Sequence, residues 1–262
     1  MTDTPPSAAP VRMAATILLV RDKPAFEVLM VKRHHQIDFA SGALVFPGGK
    51  TEAQDADPAW KDAALGWDDF PEAERALRIS AIREAFEESG VLVARNRAGH
   101  AWDVDPRAAA AREAVSKGGK PFLELVSELD LVLDLSAMAL FARWITPKMM
   151  PKRFDTFFYI TTAPADQLAE CDGWETVDAE WIAPAEALRL AETGERKIIF
   201  PTRMNLQLLA ESADGEGAIA AAHARKTVCV EPVVEQRGGQ AVLVLPVDAG
   251  YGAVVELLTD AS

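Results

Sequence analysis

The chain has 262 residues, with 27 Lys and Arg against 40 Asp and Glu, for a formal net charge of −13. Hydrophobic residues make up 49% of it, which suffices for a folded core and excludes a wholly disordered protein. The acidity argues against proteins that coat nucleic acid or anionic membranes, because both need a basic surface.

The cysteines and the N-terminus predict the surroundings of the protein. Cys171 and Cys229 are far apart, which is typical of reduced thiols rather than of a disulfide scaffold or a zinc site. Residues 1–10 lack the basic and apolar regions of a signal peptide and predict a short flexible tail. No apolar run approaches the roughly 20 residues of a membrane span. We therefore expect a cytoplasmic protein with neither nucleic-acid nor membrane partners.

Short strand patterns alternate with helical patterns along the chain. The strands are predicted at residues 11–20, 27–31, 43–46, 91–93, 140–145, 154–161 and 180–182, with the first two forming a hairpin. The helices are predicted at about residues 70–89, at 107–116 and 122–129, from residue 183 onward, and at 201–211. A last hairpin is predicted from residues 228–234 and 241–246, around Gly238-Gly239. This order predicts a single α/β (α+β) domain over residues 11–262.

The composition changes in residues 51–75, which hold eight acidic and two basic residues. This density of charge predicts a solvated lobe. Asp69-x-x-Glu72 then predicts a capping box, and Gly90 predicts the end of the helix that follows.

That helix carries three glutamates at a spacing that favours metal binding. Glu84, Glu87 and Glu88 stand at positions i, i+3 and i+4, so their side chains project from one side of a helix. Carboxylates this close repel one another, and a hard divalent cation such as Mg²⁺ or Mn²⁺ removes the repulsion. The apolar residues roughly opposite would hold the helix against a sheet: Ile79, Ile82 and Phe86.

On its own, such a cluster is typical of a solvated acidic helix face. Here a predicted strand ending in Phe46-Pro47-Gly48-Gly49 precedes a run that reads Arg83-Glu-Ala-Phe-Glu-Glu-Ser-Gly90. Phe-Pro-Gly-Gly followed by R-E-x-x-E-E-x-G resembles the signature of the Nudix hydrolases, which cleave diphosphates linked to another moiety. The resemblance covers about residues 11–210 and implies an α/β/α sandwich with a mixed β-sheet and helical insertions.

The front half of the signature departs from the family. Asp55 stands where the family has glutamate, and residues 56–82 separate it from Arg83 where the family has only seven residues. An interrupted box of this kind, with Arg153-Phe-Asp-Thr-Phe-Phe158, is similar to a subgroup that includes the peroxisomal coenzyme A diphosphatases. The departure leaves two roles open for Asp55, an outer position of the site or an acidic loop residue. Insertions are expected at about 51–70 and 95–133, and a C-terminal extension after about 212.

The resemblance assigns roles to individual residues. Glu84, Glu87 and Glu88 would ligate Mg²⁺ or Mn²⁺ together with the carbonyl of Gly49. The catalytic set is Glu84, Glu87 and Arg83, in which Glu84 acts as ligand or general base. Arg83 would orient the glutamates through charge-assisted hydrogen bonds.

Cations elsewhere would bind the phosphates of the substrate. The candidates are Lys32, Arg33 and Arg153, of which Arg153 has the bidentate geometry that suits phosphate best.

The predicted function is a metal-dependent hydrolase of a nucleoside-diphosphate derivative, with coenzyme A or an acyl-coenzyme A favoured by the subgroup resemblance. An ADP-ribose or nucleotide-sugar diphosphatase would use the same site, and a non-catalytic nucleotide-binding module would keep the fold without turnover. A structural Ca²⁺ on the acidic helix would leave the Gly-Gly loop unexplained. The predicted partner is a small diphosphate molecule, and the sequence leaves a homodimer open.

Overall fold

A computed structural model of the chain describes residues 9–34, 42–100, 102, 105–165, 167, 169 and 176–258. The strands, in chain order, are β1 (Val11–Arg21), β2 (Glu27–Arg33), β3 (Leu44–Val45), β4 (Gly48–Lys50), β5 (Ala64–Leu65), β6 (Ala94–Asn96), β7 (Leu131–Asp134), β8 (Ala139–Ile145), β9 (Arg153–Thr162), β10 (Thr176–Ile182), β11 (Cys229–Val230), β12 (Val233–Arg237), β13 (Gln240–Val244) and β14 (Val255–Leu257). The helices are α1 (Glu72–Ser89), α2 (Pro106–Ser116), α3 (Phe122–Glu128), α4 (Pro184–Glu192), α5 (Phe200–Leu209) and α6 (Gly215–Ala224). Short 3₁₀ helices lie between β4 and α1 at Ala53–Ala56, Pro58–Asp62 and Trp67–Asp69.

The largest sheet is mixed, as the resemblance implies. Its strands follow the order β10-β2-β1-β9-β8-β11, with β3 paired to β2 and β4 paired to β1. β1 is parallel to β9 and β8 is parallel to β11, whereas β1 and β2 form the predicted antiparallel hairpin. The strands β5-β7-β6 and β12-β13-β14 form two smaller sheets.

Helices cover both faces of the large sheet. Alternate residues of β1 point to opposite faces. Ile17 and Leu19 join the core that contains α1, and Leu18 and Val20 join the core that contains α5 and α6. All four are at most 1% exposed, and burial of such side chains contributes about 1.5–3 kcal/mol each. The fold is therefore the α/β/α sandwich that the resemblance implies.

The helix α1 ends at the predicted residue but begins at Glu72, later than the predicted capping box implies. Gly90 follows it with φ = 75° and donates its N–H to the carbonyl of Phe86 at 2.8 Å, which ends the helix where predicted. The predicted capping box between Asp69 and Glu72 is wrong. Asp69 is the last residue of a 3₁₀ helix, so it cannot serve as the N-cap, a position that Pro71 holds without a side-chain bond.

The first insertion is more buried than its acidity predicts. Trp60 is 1% exposed, its ring centroid lies 5.6 Å from that of Phe122, and its indole N–H donates to the carbonyl of Gln54 at 2.9 Å. The prediction of a solvated lobe is therefore wrong for this part, because a large aromatic side chain roots the segment in the core. The prediction holds for exposed charges such as Asp68.

The second insertion contains the two predicted helices, α2 and α3. Its strand β7 pairs with β6 and also with β5, so one small sheet joins both insertions. The strand predicted at residues 91–93 is wrong, although all three residues are buried. The side chain of Gln167 bonds both the N–H and the carbonyl of Leu92, at 2.8 and 3.0 Å. A backbone whose polar groups are satisfied in this way needs no strand partner.

The C-terminal extension contributes to the large sheet and forms a small one. Its helix α6 escapes sequence prediction, because an alanine-rich segment lacks the large apolar residues that reveal an amphipathic helix. The strand predicted at residues 228–234 is split into β11 and β12 at Pro232, which has no N–H for a ladder. The predicted hairpin forms between β12 and β13, with Gly238 and Gly239 at φ = 58° and 83°.

The structure describes some of the features from which the sequence predicts location. No helix in the described part of the chain is long and apolar enough to cross a membrane. Cys229 is an exposed free thiol. Cys171 and most of the predicted N-terminal tail lie outside the described residues.

Replacing Trp60 by alanine should strongly destabilise the fold. We expect the free energy of unfolding to fall by about 3–5 kcal/mol, because truncating a buried aromatic residue leaves a cavity. Leu65→Ala is the control in the same insertion, since Leu65 is 39% exposed and its truncation should cost under about 1 kcal/mol. Urea denaturation followed by circular dichroism measures both. Equal losses in the two variants would contradict the packing of this insertion into the core.

Candidate functional site

The end of α1 meets the glycine pair of β4. Gly49 lies opposite Ala15 in the sheet, and Gly48 donates its N–H to Oε2 of Glu88 at 2.9 Å. A Cβ on Gly49 would lie 2.6 Å from both carboxylate oxygens of Glu84, so only glycine leaves room for that carboxylate. Gly48 and Gly49 thus form part of a strand rather than a loop, and the fold joins this strand to a helix whose contacting residue is 40 positions away.

Arg83 ties the carboxylates together. Its side chain is 1% exposed, and its Nε and Nη2 donate to the two oxygens of Asp55 at 2.9 and 3.1 Å. Its Nη1 donates to Oε2 of Glu87 at 3.0 Å and lies 3.0 Å from Oε1 of Glu84. Its Nη2 also donates to the carbonyl of Lys50 at 3.0 Å. The planar guanidinium can bond several acceptors at once, which is what the predicted orienting role requires.

Asp55 lies behind the glutamates rather than on the surface of an acidic loop. It is 1% exposed, and the backbone N–H of Glu52 donates to its Oδ2 at 2.7 Å. Its carboxylate balances the charge of Arg83, so it contributes to the site through that residue. Of the two roles that the sequence leaves open, the geometry supports the outer position of the site.

Burial dominates the electrostatics of the glutamates. Burial raises the pKa of Glu84 well above its usual value against the opposing effect of Arg83, and the charges of Glu88 and Glu87 raise it further. Burial also raises the pKa of Glu87 to about 7, again opposed by Arg83. A cation bound beside these carboxylates would favour their charged forms and oppose the effect of burial.

Arg83 keeps its charge in this environment. Burial lowers its pKa, but the hydrogen bond to Asp55 and the charges of Glu84, Asp55 and Glu87 outweigh that effect, and the net pKa is raised. The guanidinium is thus a permanent cation at the centre of the carboxylates.

The donor set fits a hard divalent cation. The carboxylates of Glu84, Glu87 and Glu88 and the carbonyl of Gly49 offer only oxygen, which Mg²⁺ and Mn²⁺ prefer. The missing Cβ of Gly49 also allows Glu84 to approach the carbonyl-bearing strand. Among the described residues, no group of three His, Cys, Asp or Glu side chains is arranged as a ready metal site. Arg83 holds one oxygen of Glu87 and lies beside one of Glu84, so metal binding by these residues stays a prediction.

Arg33 lies near the end of α1 that carries the glutamates, whereas Lys32, its neighbour in β2, points to the opposite face of the sheet. Arg33 pairs in the sheet with Thr176, whose hydroxyl donates to the carbonyl of Glu88 at 3.0 Å. The Nε of Arg33 is buried and has no hydrogen-bond partner among the residues that the structure describes. Such a group is costly to leave unsatisfied, and an anion would satisfy it.

Arg153 lies apart from the glutamates. It begins β9, level with the first residue of β1, whereas Gly49 is level with Ala15, about 13 Å farther along that strand. It is 7% exposed, and its Nη2 donates to Glu231 at 2.8 Å. The structure therefore brings Arg33 toward the glutamates but leaves Arg153 in an ion pair elsewhere.

Two residues that no motif indicates contact the same end of α1. Arg112 of α2 donates from Nε to the carbonyl of Glu87 at 3.0 Å, and Thr176 bonds the carbonyl of Glu88. The sequence carries no signal for either, because they come from segments distant in the chain and act on backbone groups.

Comparison with known proteins places these features in a family. The family model for the NUDT19 Nudix domain matches residues 62–208, more than half of the chain. Acyl-coenzyme A diphosphatase NUDT19 of Xenopus laevis is 27% identical over 205 residues, which are 62% of this chain and 54% of that protein. The protein of the same name from Homo sapiens is 28% identical over 228 residues, which are 71% of this chain and 58% of that protein. The chain thus spans little more than half the length of these relatives.

A solved structure resembles the fold. The crystal structure of a NUDIX hydrolase from Alicyclobacillus acidocaldarius is 28% identical in sequence and superposes with a TM-score of 0.70. The match covers 81% of this chain and 96% of that chain. The similarity therefore extends well beyond the helix that carries the glutamates.

Asp55→Asn should destabilise the protein through Arg83. We expect the free energy of unfolding to fall by about 3–5 kcal/mol, because the substitution leaves a buried guanidinium without its main counter-charge. Asp69→Asn removes the same charge from an exposed position of the same insertion and should change stability by less than about 0.5 kcal/mol. Urea denaturation measures both. Similar stabilities of the two variants would argue against a buried ion pair at Asp55.

Glu87→Gln should flatten the pH dependence of stability in the metal-free protein. The folded chain holds the Glu87 proton up to about pH 7, whereas an unfolded chain releases it near 4.5. The stability due to protonation is therefore present below pH 4.5 and is lost as the pH rises through 7. Glutamine does not ionise. Between pH 4.5 and 7 the free energy of unfolding of the variant should therefore fall by up to about 3 kcal/mol less than that of the wild type.

Denaturation in the presence of a chelator at several pH values measures this difference. Glu72→Gln, at the exposed first turn of α1, is the control and should keep the wild-type slope. The same slope in Glu87→Gln as in the wild type would show that the Glu87 pKa is not raised.

Proposed function

The chain belongs to the NUDT19 family of Nudix hydrolases, and on that basis we propose that it is a metal-dependent diphosphatase of coenzyme A or an acyl-coenzyme A. The observation that carries the proposal is the cluster around Arg83, which holds Glu84 and Glu87 beside the glycine pair of β4. The activity named for the frog and human relatives supports the choice of substrate.

The proposed cofactor is Mg²⁺ or Mn²⁺. Nudix hydrolases generally need a divalent metal ion. Glu84, Glu87, Glu88 and the carbonyl of Gly49 would hold the ion. When bound there, it would supply Lewis-acid catalysis, by neutralising charge on the diphosphate oxygens and lowering the pKa of the attacking water.

The protein's own groups would position the reactants and move the proton. Glu84, whose pKa burial raises, would accept a proton from the attacking water on a carboxylate oxygen. The water oxygen bonds to one phosphorus, the bridging P–O bond breaks, and the other phosphate leaves. Coenzyme A would yield 4′-phosphopantetheine and 3′,5′-ADP. Arg83 would keep Glu84 and Glu87 at a fixed separation throughout.

Basic residues would hold the phosphates of the substrate. Arg33 is the best placed of the three candidates, because its buried Nε has no partner among the described residues and its strand neighbour Thr176 bonds the end of α1. Lys32 is proposed from its place in the sequence alone, because consecutive residues of β2 point to opposite faces of the sheet. Arg153 would have to leave Glu231 to contact a phosphate, which makes it the weakest of the three proposals.

Location and assembly are proposed from the sequence alone. We propose a cytoplasmic location, which the cysteine usage supports. We propose no nucleic-acid or membrane partner, and a homodimer stays open.

Purified protein with Mg²⁺ or Mn²⁺ should hydrolyse coenzyme A or an acyl-coenzyme A and release 3′,5′-ADP. The panel also contains ADP-ribose, nucleotide sugars and dinucleotides, with products resolved by mass spectrometry. Glu87→Gln should lower kcat by about 10²–10⁴-fold, the range in which a catalytic carboxylate contributes. Glu72→Gln, on the exposed first turn of the same helix, should leave kcat unchanged.

Each other outcome has a distinct meaning. Hydrolysis of ADP-ribose or a nucleotide sugar, without 3′,5′-ADP from coenzyme A, would replace the substrate and keep the reaction. No hydrolysis of any member, with ligand binding that Glu87→Gln leaves intact, would favour a non-catalytic module and refute the proposal.

A further inference from the structure

The C-terminal end of α1 is an unfavourable place for glutamates. The unpaired carbonyls at a helix C-terminus carry a partial negative charge, and anions are destabilising there. Glu87 and Glu88 lie in this turn, and α1 has no basic residue of its own in it. Glu84 lies one turn earlier. The spacing of the glutamates therefore depends on groups that other elements supply.

Arg112 supplies such a group from the second insertion. Its Nε donates to the carbonyl of Glu87 at 3.0 Å. A Cβ on Gly90 would lie 3.3 Å from its Nη1, so the guanidinium lies against the residue that ends the helix. Glycine at position 90 thus provides both the left-handed φ of 75° and room for Arg112.

Glu87 is consequently held at both ends. Arg83 bonds its carboxylate, and Arg112 bonds its backbone carbonyl. The next carbonyl, that of Glu88, accepts from Thr176. Helix ends usually fray. These bonds keep the last turn of α1 from doing so.

The insertion presents Arg112 from a fixed position. Its helix α2 is anchored by Ala108 and Val115, which are 4% and 2% exposed in the same core as α1. In the following helix α3, the ring of Phe122 stacks on Phe86 of α1, with centroids 5.8 Å apart. The backbone N–H of Phe122 donates to Oε1 of Gln54, the neighbour of Asp55, at 3.1 Å. Both sides of the Arg83 cluster are thus tied to the insertion.

We propose that Arg112 is a positioning residue, which holds the last turn of α1 so that Glu84, Glu87 and Glu88 keep the spacing that binds a divalent cation. This gives the second insertion a role in the site, and it rests on the proposed metal-dependent function. Arg112 acts through the backbone of Glu87, and the carboxylate of Glu87 is bonded by Arg83.

The sign of the effect separates positioning from simple electrostatics. A guanidinium that acted only through its charge would repel a cation, so its removal would raise the affinity for Mn²⁺. A positioning residue predicts the opposite, a loss of affinity when it is removed. Losses for residues that orient metal ligands are typically about 10–100-fold.

Mn²⁺ titration of the purified full chain tests the proposal. Arg112→Met should weaken Mn²⁺ binding by about 10–100-fold and speed hydrogen exchange of the amides in the last turn of α1. Arg112→Lys, which keeps a charge and an N–H donor, should lie between wild type and Arg112→Met. Arg107→Met is the matched control, because Arg107 is an exposed residue of the same helix that pairs with Asp105, and it should bind Mn²⁺ as the wild type does.

Turnover gives a further readout. Saturating Mn²⁺ should restore most of the kcat of Arg112→Met with the KM for coenzyme A little changed, which a general loss of structure would not do. If Arg112→Met fails to fold, Arg112→Leu, which also lacks an N–H donor, takes its place with the same expectations.

The contrary results are distinct from those for the proposed function. Mn²⁺ affinity that is equal in Arg112→Met and Arg107→Met, or higher in Arg112→Met, overturns the positioning role, as does a wild type that binds no Mn²⁺. A wild type that binds Mn²⁺ but hydrolyses no member of the panel refutes the diphosphatase proposal alone, because the affinity comparison still decides the role of Arg112.

Discussion

The burial of one guanidinium, that of Arg83, is the constraint on which the site depends. Taking such a charge out of water costs several kcal/mol unless every donor finds an acceptor. Asp55, Glu87 and the carbonyl of Lys50 accept from it, and Glu84 lies within 3.0 Å. The contacts that satisfy Arg83 also align the glutamates. Stability and site geometry therefore rest on the same bonds, and a substitution in this cluster affects both.

Local patterns predicted the elements that carry the site. The aliphatic run of β1 and the glutamate spacing of α1 are strong signals, and both elements form in the predicted places. The weaker signals failed where tertiary contacts decided the outcome. Residues 91–93 are apolar enough for a strand, but Gln167 satisfies the backbone of Leu92 instead. The capping box failed because Asp69 already belongs to a 3₁₀ helix.

The site itself was predictable as far as its motifs reach. The glycine pair and the glutamates of the motif meet in the structure. Glycine is needed there because the backbone of Gly49 lies close to the carboxylate of Glu84. The sequence shows that Asp55 occupies the family's glutamate position, but it does not show whether Asp55 reaches the site. A shorter side chain, separated from Arg83 by a long insertion, fits both an outer position of the site and a loop. Arg112 could not be found, because it acts on a backbone carbonyl that no side-chain pattern encodes. The net charge of the chain did not indicate where the site lies, since the site depends on a few buried carboxylates.

The separation between Asp55 and Arg83 has a consequence for the entropy of the unfolded chain. They are 28 positions apart and still form a bidentate pair, where the resemblance implies a much shorter path. Loop-closure entropy grows only logarithmically, by about 0.6 kcal/mol per doubling, so a roughly fourfold longer path costs about 1.2 kcal/mol. Burial of Trp60 within that path offsets a cost of this size. Lengthening the chain between Asp55 and Arg83 therefore costs little stability, whereas loss of the ion pair between them costs much more.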